Sequence, residues 1–130
     1  MNDILDLHTH TTASGHAYNS LYEMIQAASD KNLVLYGCSD HGPKMPGGPH
    51  PFHFINFRVI PDQVYGVKVL MGAELNILDV SGKVDLEEST LKLLDYSIAS
   101  LHTPCFRPGT PDENTQAYLN VMKNPYVQII

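Results

Sequence analysis

His8 and His10, in the run Asp6-Leu7-His8-Thr9-His10, stand two positions apart. In an extended backbone the side chains of residues i and i+2 leave the same face, so the two imidazoles converge on one point without long-range folding. Neutral imidazole is the commonest protein ligand for zinc and suits iron and manganese, so the pair supplies half of a four-coordinate shell. Alone, such a pair reads more readily as the polar end of a strand. Its weight comes from recurrence, because three later apolar runs also end in a ligand-type residue: Gly37-Cys38-Ser39-Asp40-His41, Met71-Gly72-Ala73-Glu74 and Ile98-Ala99-Ser100-Leu101-His102. In α/β barrels the chemistry gathers at the carboxyl ends of the strands. Strand ends carrying His, His, Glu and His read as one site, with His16 a few residues beyond the first.

The elements that must position these residues follow from periodicity. Ile4 to Leu7 reads as a first strand and Leu33 to Ser39 as a second, the latter a continuous apolar run of the kind buried on both faces of a parallel sheet. Between them Ser20-Leu21-Tyr22-Glu23 has the form of a capping box. Leu21, Met24, Ile25 and Ala28 then fall on one helical stripe. Gly42 to His53 is rich in proline and glycine and is excluded from helix and central strand; a βα loop of that length is a candidate lid or binding loop. A short helix is expected over Phe54 to Ile60, with a further turn over Asp62 to Tyr65. Val67 to Asn76 reads as the third strand, and Asn76 to Val80 with Lys83 to Asp85 as a hairpin around Ser81-Gly82. Glu87 to Leu94 reads as a helix, Tyr96 to Leu101 as the fourth strand, Asn114 to Lys123 as a helix, and Val127 to Ile130 as the start of a fifth strand. Strands alternating with helices over short connections imply parallel pairing with right-handed crossovers.

A chain of 130 residues has the size of one domain, and no linker or internal repeat divides it. With 43% hydrophobic and 17% charged residues it is globular in composition. A formal net charge of -6 with no basic block argues against extended nucleic-acid binding by phosphate neutralisation. Bound divalent ions would reverse the local sign and admit an anionic substrate. The amino terminus carries Asp3 and Asp6 and lacks the pattern of a signal peptide; no apolar run approaches the ~20 residues of a membrane span. Cys38 and Cys105 form no CxxC motif and read as reduced thiols of a cytoplasmic protein.

Taken in order, Asp6-Leu7-His8-Thr9-His10, the His16 loop, Ser39-Asp40-His41-Gly42, Gly72-Ala73-Glu74-Leu75-Asn76 and Leu101-His102 resemble successive motifs of the PHP (polymerase and histidinol phosphatase) superfamily. Pro49-His50-Pro51-Phe52-His53-Phe54-Ile55-Asn56 resembles its YcdX-type phosphatase branch. The resemblance implies an α/β fold, a distorted (β/α)7 TIM-like barrel, of which residues 1–130 form the amino-terminal part of a single PHP domain, about four and a half βα units with mainly parallel strands. It implies up to three divalent ions (Zn, Mn or Fe). His8, His10 and Glu74 would hold the first, Glu74 would bridge to a second held by His102, and His16 and His41 would hold the third. The implied activity is hydrolysis of a small phosphate monoester by a hydroxide between metals. The family draws further ligands from a His just after the fifth strand and from an Asp-x-His motif near the carboxyl terminus, neither of which is present in these 130 residues. The expectation is therefore incomplete metal shells, weak activity compared with a longer chain, and self-association through open strand edges.

Asp6 and Asp40, each close in sequence to a ligand-type His, are candidates to orient imidazole N–H groups. His50, His53, Lys44 and Arg107 are candidates to meet the substrate phosphate. Two other readings compete. One is an inactive PHP module with a structural metal or an accessory role. The other is an amidohydrolase-type barrel, which shares the opening HxH but typically uses a carboxylated Lys where this chain has Leu101-His102.

Overall fold

The computed structural model describes residues 4–130; Asp3, weighed above against a targeting segment, lies outside the described residues. Strands β1 (Leu5–Asp6) and β2 (Leu35–Cys38) are joined through helix α1 (Leu21–Asp30). The expected capping box opens α1: Glu23 N–H donates to the Ser20 hydroxyl, and Glu23 Oε2 accepts from Ser20 N–H at 2.7 Å. Ile25 and Ala28 on the apolar stripe are buried against the sheet, and Leu21 and Met24 pack beside them.

The proline-rich loop leads into helix α2 (Phe52–Ile55), followed by a 3₁₀ turn over Asn56–Val59. The helix starts two residues before the expected Phe54, with Pro51 at its N-cap position in an α conformation. Strand β3 (Gln63–Val64) turns back antiparallel onto β4 (Val67–Asn76) where only a turn was expected. Tyr65 and Gly66 both have positive φ, 51° and 80°, as the two central residues of a type I′ hairpin require. The sequence reading missed this hairpin because Tyr is not the Asn or Asp that usually marks such a turn. The hairpin expected around Ser81-Gly82 shrinks instead to one antiparallel bridge, Ile77 to Val84.

Helix α3 (Glu88–Leu91), strand β5 (Tyr96–Ser100) and helix α4 (Pro111–Val121) complete the described elements. α4 begins three residues before the expected Asn114. Thr110 and Glu113 form a second capping box and Pro111 occupies the first turn, where its fixed φ suits a helix and its missing N–H costs nothing.

Four strands pair in parallel in the order β1, β2, β4, β5, so the chain forms part of a TIM-like barrel wall with mainly parallel strands. β4 is its axis: Lys68 to Met71 pair with β2 and Gly72 to Asn76 with β5. The expected fifth strand amounts to one parallel bridge, Ile98 to Ile129, with Ala99 N–H donating to Ile129 O at 3.0 Å. Helices cover one face of the wall. The other face carries Tyr96, whose ring crosses Gly72 and Gly37 on the two adjacent strands and whose hydroxyl donates to Leu7 O at 2.6 Å. A Cβ at either glycine would collide with that ring.

Candidate metal centre

The strands deliver their ligand-type residues to one end of the wall. His8 and His10 follow β1, His41 follows β2, Glu74 lies in the last turn of pairing of β4, and His102 follows β5. Beyond its end, the β2 segment remains stitched to β4: Glu74 N–H donates to Asp40 O at 3.0 Å and Gly42 N–H to Glu74 O at 2.9 Å.

Glu74 is the hub. Its carboxylate, 3% exposed, is approached by Nε2 of His8 and of His10 at 3.3 Å each, by Nδ1 of His41 at 2.9 Å and by Nε2 of His102 at 3.2 Å. Nε2 of His41, on the far side of the ring, lies 3.2 Å from Nε2 of His16. Two triads offer one donor atom per residue within a common sphere: His8, His10 and Glu74, and His41, Glu74 and His102.

Burial opposes ionisation of Glu74, but the nearness of the His41 ring, the Ser100 hydroxyl and the His102 ring outweighs it, so the carboxyl is held well below its usual range. Burial lowers His10, with His41 reinforcing it, and burial likewise lowers His102. These directions, Glu74 toward its ionised form and His10 and His102 toward their neutral forms, are the ones that favour ligation.

The residues fit a divalent ion on two further grounds. His41 Nδ1 and Glu74 Oε2 are buried and face each other at 2.9 Å, yet neither makes an aligned hydrogen bond. Such orphaned atoms are scarce in native proteins, and a cation would satisfy both. In addition, ligand pairs about 3.3 Å apart are what bonds of ~2.0–2.1 Å at tetrahedral angles produce. Three of the separations around Glu74, those of His8, His10 and His102, lie at 3.2–3.3 Å, and that of His41 is shorter at 2.9 Å.

Two buried networks aim the imidazoles. Ser14 donates its one hydroxyl proton to Asp40 Oδ1 at 2.8 Å, so toward His10 Nδ1, 3.3 Å away, it presents a lone pair. His10 then carries its proton on Nδ1 and turns the Nε2 lone pair to the centre. His102 Nδ1 lies 2.8 Å from Asn76 Oδ1, with the same consequence for its Nε2. Asp40 is fully buried; besides Ser14 it accepts from Thr11 N–H at 2.7 Å and from the Thr11 hydroxyl at 2.8 Å, with His53 Nε2 at 3.3 Å. Burial would raise its pKa, but these donors, led by His53, hold it well below the usual range.

Residues 6–128 match the PHP domain family. The chain belongs to that family. A probable phosphatase of Clostridium novyi is 54% identical over 130 residues, covering 100% of this chain and 53% of that protein. A probable phosphatase of Clostridium botulinum (strain Hall) is 52% identical, again over 100% of this chain and 54% of its own length. One from Acetivibrio thermocellus is 48% identical with the same 54% coverage. The chain spans about half the length of the curated relatives it matches.

The remaining sequence candidates of this PHP domain take separate positions. The Asp6 carboxylate accepts from the His8 backbone N–H at 3.2 Å rather than from an imidazole. Asp40 reaches His10 only through Ser14, and meets the ring of His53 directly. His53 and Asp40 border an apolar cavity of about 110 Å³ with Cys38, Phe57 and Met71. His50 is exposed and its Nδ1 accepts from Phe52 N–H at 3.1 Å. Lys44 is exposed at the start of the proline-rich loop, and Arg107 lines a different groove with Leu78, Val80 and Glu113. Cys38 and Cys105 are both free thiols. Sequence reasoning missed Ser14, Thr11 and Asn76 as partners of the ligand residues and of Asp40. Among the described residues no helix is long and apolar enough to cross a membrane.

Proposed function

We propose that this chain carries the metal-binding half-site of a divalent-metal-dependent phosphatase acting on a small phosphate monoester. One observation carries the reading: a buried, ionised Glu74 within 3.3 Å of imidazole nitrogens from three other strand ends, on a PHP fold whose relatives are named probable phosphatases. His8, His10 and Glu74 would hold one ion and Glu74 with His102 a second, while His41, with one lone pair to give as a neutral imidazole, would serve either that second ion through Nδ1 or a third, with His16, through Nε2; zinc, manganese and iron all suit this donor set. Bound there, such ions supply charge neutralisation at the phosphate oxygens and a water of lowered pKa. The protein's own contribution is orientation. Ser14 and Asn76 fix which nitrogen of His10 and of His102 is free, and Glu74 brings the negative charge that offsets the cations.

The substrate class follows from the same charge logic. A chain with net charge -6 attracts a phosphate monoester only where cations reverse the local sign. Lys44, His50, His53 and Arg107 are the side chains we assign to contacts with it. The free thiols accord with a reducing compartment, and we assign the chain to the cytoplasm.

The test is hydrolysis of p-nitrophenyl phosphate with added Mn²⁺ or Zn²⁺, by the chain and by its Glu74→Gln variant. Metal-stimulated turnover lost in the variant supports the reading. Turnover indifferent to chelation, or retained by Glu74→Gln, overturns it.

A further inference from the structure

Asp85, at the end of the hairpin expected around Ser81-Gly82 and among none of the ligand-type residues, follows the Ile77 to Val84 bridge. Its carboxylate accepts three N–H groups. Oδ1 takes the Asn76 backbone N–H at 2.9 Å; Oδ2 takes the Asn76 side-chain amide at 2.6 Å and the Lys44 backbone N–H at 2.9 Å. The Asn76 amide also donates to Gly42 O at 3.2 Å. Two acceptors thus claim the NH₂ end of Asn76, and only its carbonyl is left for His102 Nδ1. A flipped amide would set oxygen against both the Asp85 carboxylate and the Gly42 carbonyl.

We infer that Asp85 is the positioning residue of this centre: acting through Asn76 it commits His102 Nδ1 to donation and Nε2 to metal, and through Lys44 it moors the proline-rich loop to the same point. Gly42 belongs to the device, because a Cβ there would run into the Asp85 carboxylate. Ring orientation and loop position therefore depend on one side chain. His102 Nε2 faces Glu74 Oε1 at 3.2 Å, lone pair toward lone pair, which is unfavourable without a cation and favourable with one. Outer partners that hold an imidazole in this way typically change metal affinity or activity by about 10 to 100-fold. The inference rests on the metal-site reading given above.

The experiment uses the whole chain and its Asp85→Ala, Asp85→Asn and Asn76→Ala variants with the Asp85→Ala/Asn76→Ala double variant, measuring Zn²⁺ affinity by calorimetry and amide hydrogen exchange at Lys44 and Asn76. Asp85→Ala is expected to lower affinity roughly 10 to 100-fold. The double variant should lose no more than Asn76→Ala alone, because coupled residues are non-additive. Asp85→Asn, which keeps an acceptor oxygen, should recover part of the loss. Exchange at Lys44 should accelerate in Asp85→Ala. Additive losses, or wild-type affinity in Asp85→Ala, overturn the positioning role while leaving the metal site standing. Should the wild-type chain bind no Zn²⁺, the phosphatase reading falls by itself, and unchanged exchange at Lys44 and Asn76 then sinks the Asp85 inference too. If Asp85→Ala fails to fold, as circular dichroism would show, the isosteric Asp85→Asn carries the comparison.

Discussion

The hydroxyl of Ser14 lies 3.3 Å from Nδ1 of His10, and its own proton is committed to Asp40. It also accepts from His41 N–H at 3.1 Å, so one buried oxygen touches the supports of two ligand residues. The arrangement converts a fully buried carboxylate into control over an imidazole it does not touch.

Ser14→Ala should therefore weaken Zn²⁺ or Mn²⁺ binding about 10 to 100-fold. It also strands the His41 N–H and removes a donor from Asp40, and an unsatisfied buried group costs about 1–3 kcal/mol. Calorimetric metal titration and a denaturant melt separate the two effects. An unchanged affinity with lowered stability would reduce Ser14 to a packing residue.

Metal binding should resist acid further than unperturbed histidines allow. An ordinary imidazole titrates near about 6.5 and must be neutral to ligate. His10 and His102 are both lowered, chiefly by burial, so protons compete for them only at lower pH. Occupancy followed by elemental analysis should hold as pH falls through about 6.5 and drop below it. A midpoint above that value contradicts the geometry.

The metal-free chain has its own pH dependence. Where the folded pKa is depressed, the unfolded chain binds more protons, and stability declines as pH falls below the unfolded value. For His10 and His102 that decline begins near about 6.5; for Asp40 and Glu74 it begins near about 4. Urea melts between pH 8 and 3 should show two successive losses, and Glu74→Gln should shrink the second. A flat profile from pH 6.5 to 3 speaks against the burial of His10 and His102 and against the contacts that hold Asp40 and Glu74 ionised.

Much of this was legible because strand-end chemistry is local. The i, i+2 spacing of His8 and His10, the Ser20 and Glu23 capping box and the ten-residue run Val67–Asn76 each carry their meaning in a short window. The networks behind the ligands were not legible. Ser14 meets Asp40 across 26 positions and Asp85 meets Lys44 across 41, and no periodicity encodes which hydroxyl or carboxylate a fold will bring to a given ring. The first, second and fourth strands were drawn too long for a related reason. Apolarity marks burial, but β1 keeps only Leu5–Asp6 in the ladder, while Thr9 continues the contact through its backbone, its carbonyl accepting the Ser39 N–H at 2.9 Å and its N–H donating to the Ser39 hydroxyl at 3.0 Å. Thr110 and Glu113 were readable as a capping box, and beginning α4 at Asn114 overlooked them.

The edge of the sheet supports a last prediction. On its outer side β1 has no strand partner among the described residues, and Leu5 and Ile4 are 47% and 58% exposed, with Val34 close by at 59%. An exposed apolar edge with free backbone groups is a template for pairing with a second chain, and charged side chains are the usual means of blunting it. The 130-residue chain is therefore expected to self-associate in solution, with mass rising with concentration. Leu5→Lys should lower the associated fraction without altering metal affinity, because Leu5 lies outside both ligand triads. Light scattering across a concentration series of both proteins makes the comparison. If the wild-type chain stays monomeric throughout, or if Leu5→Lys associates as strongly, the contact does not run through this edge.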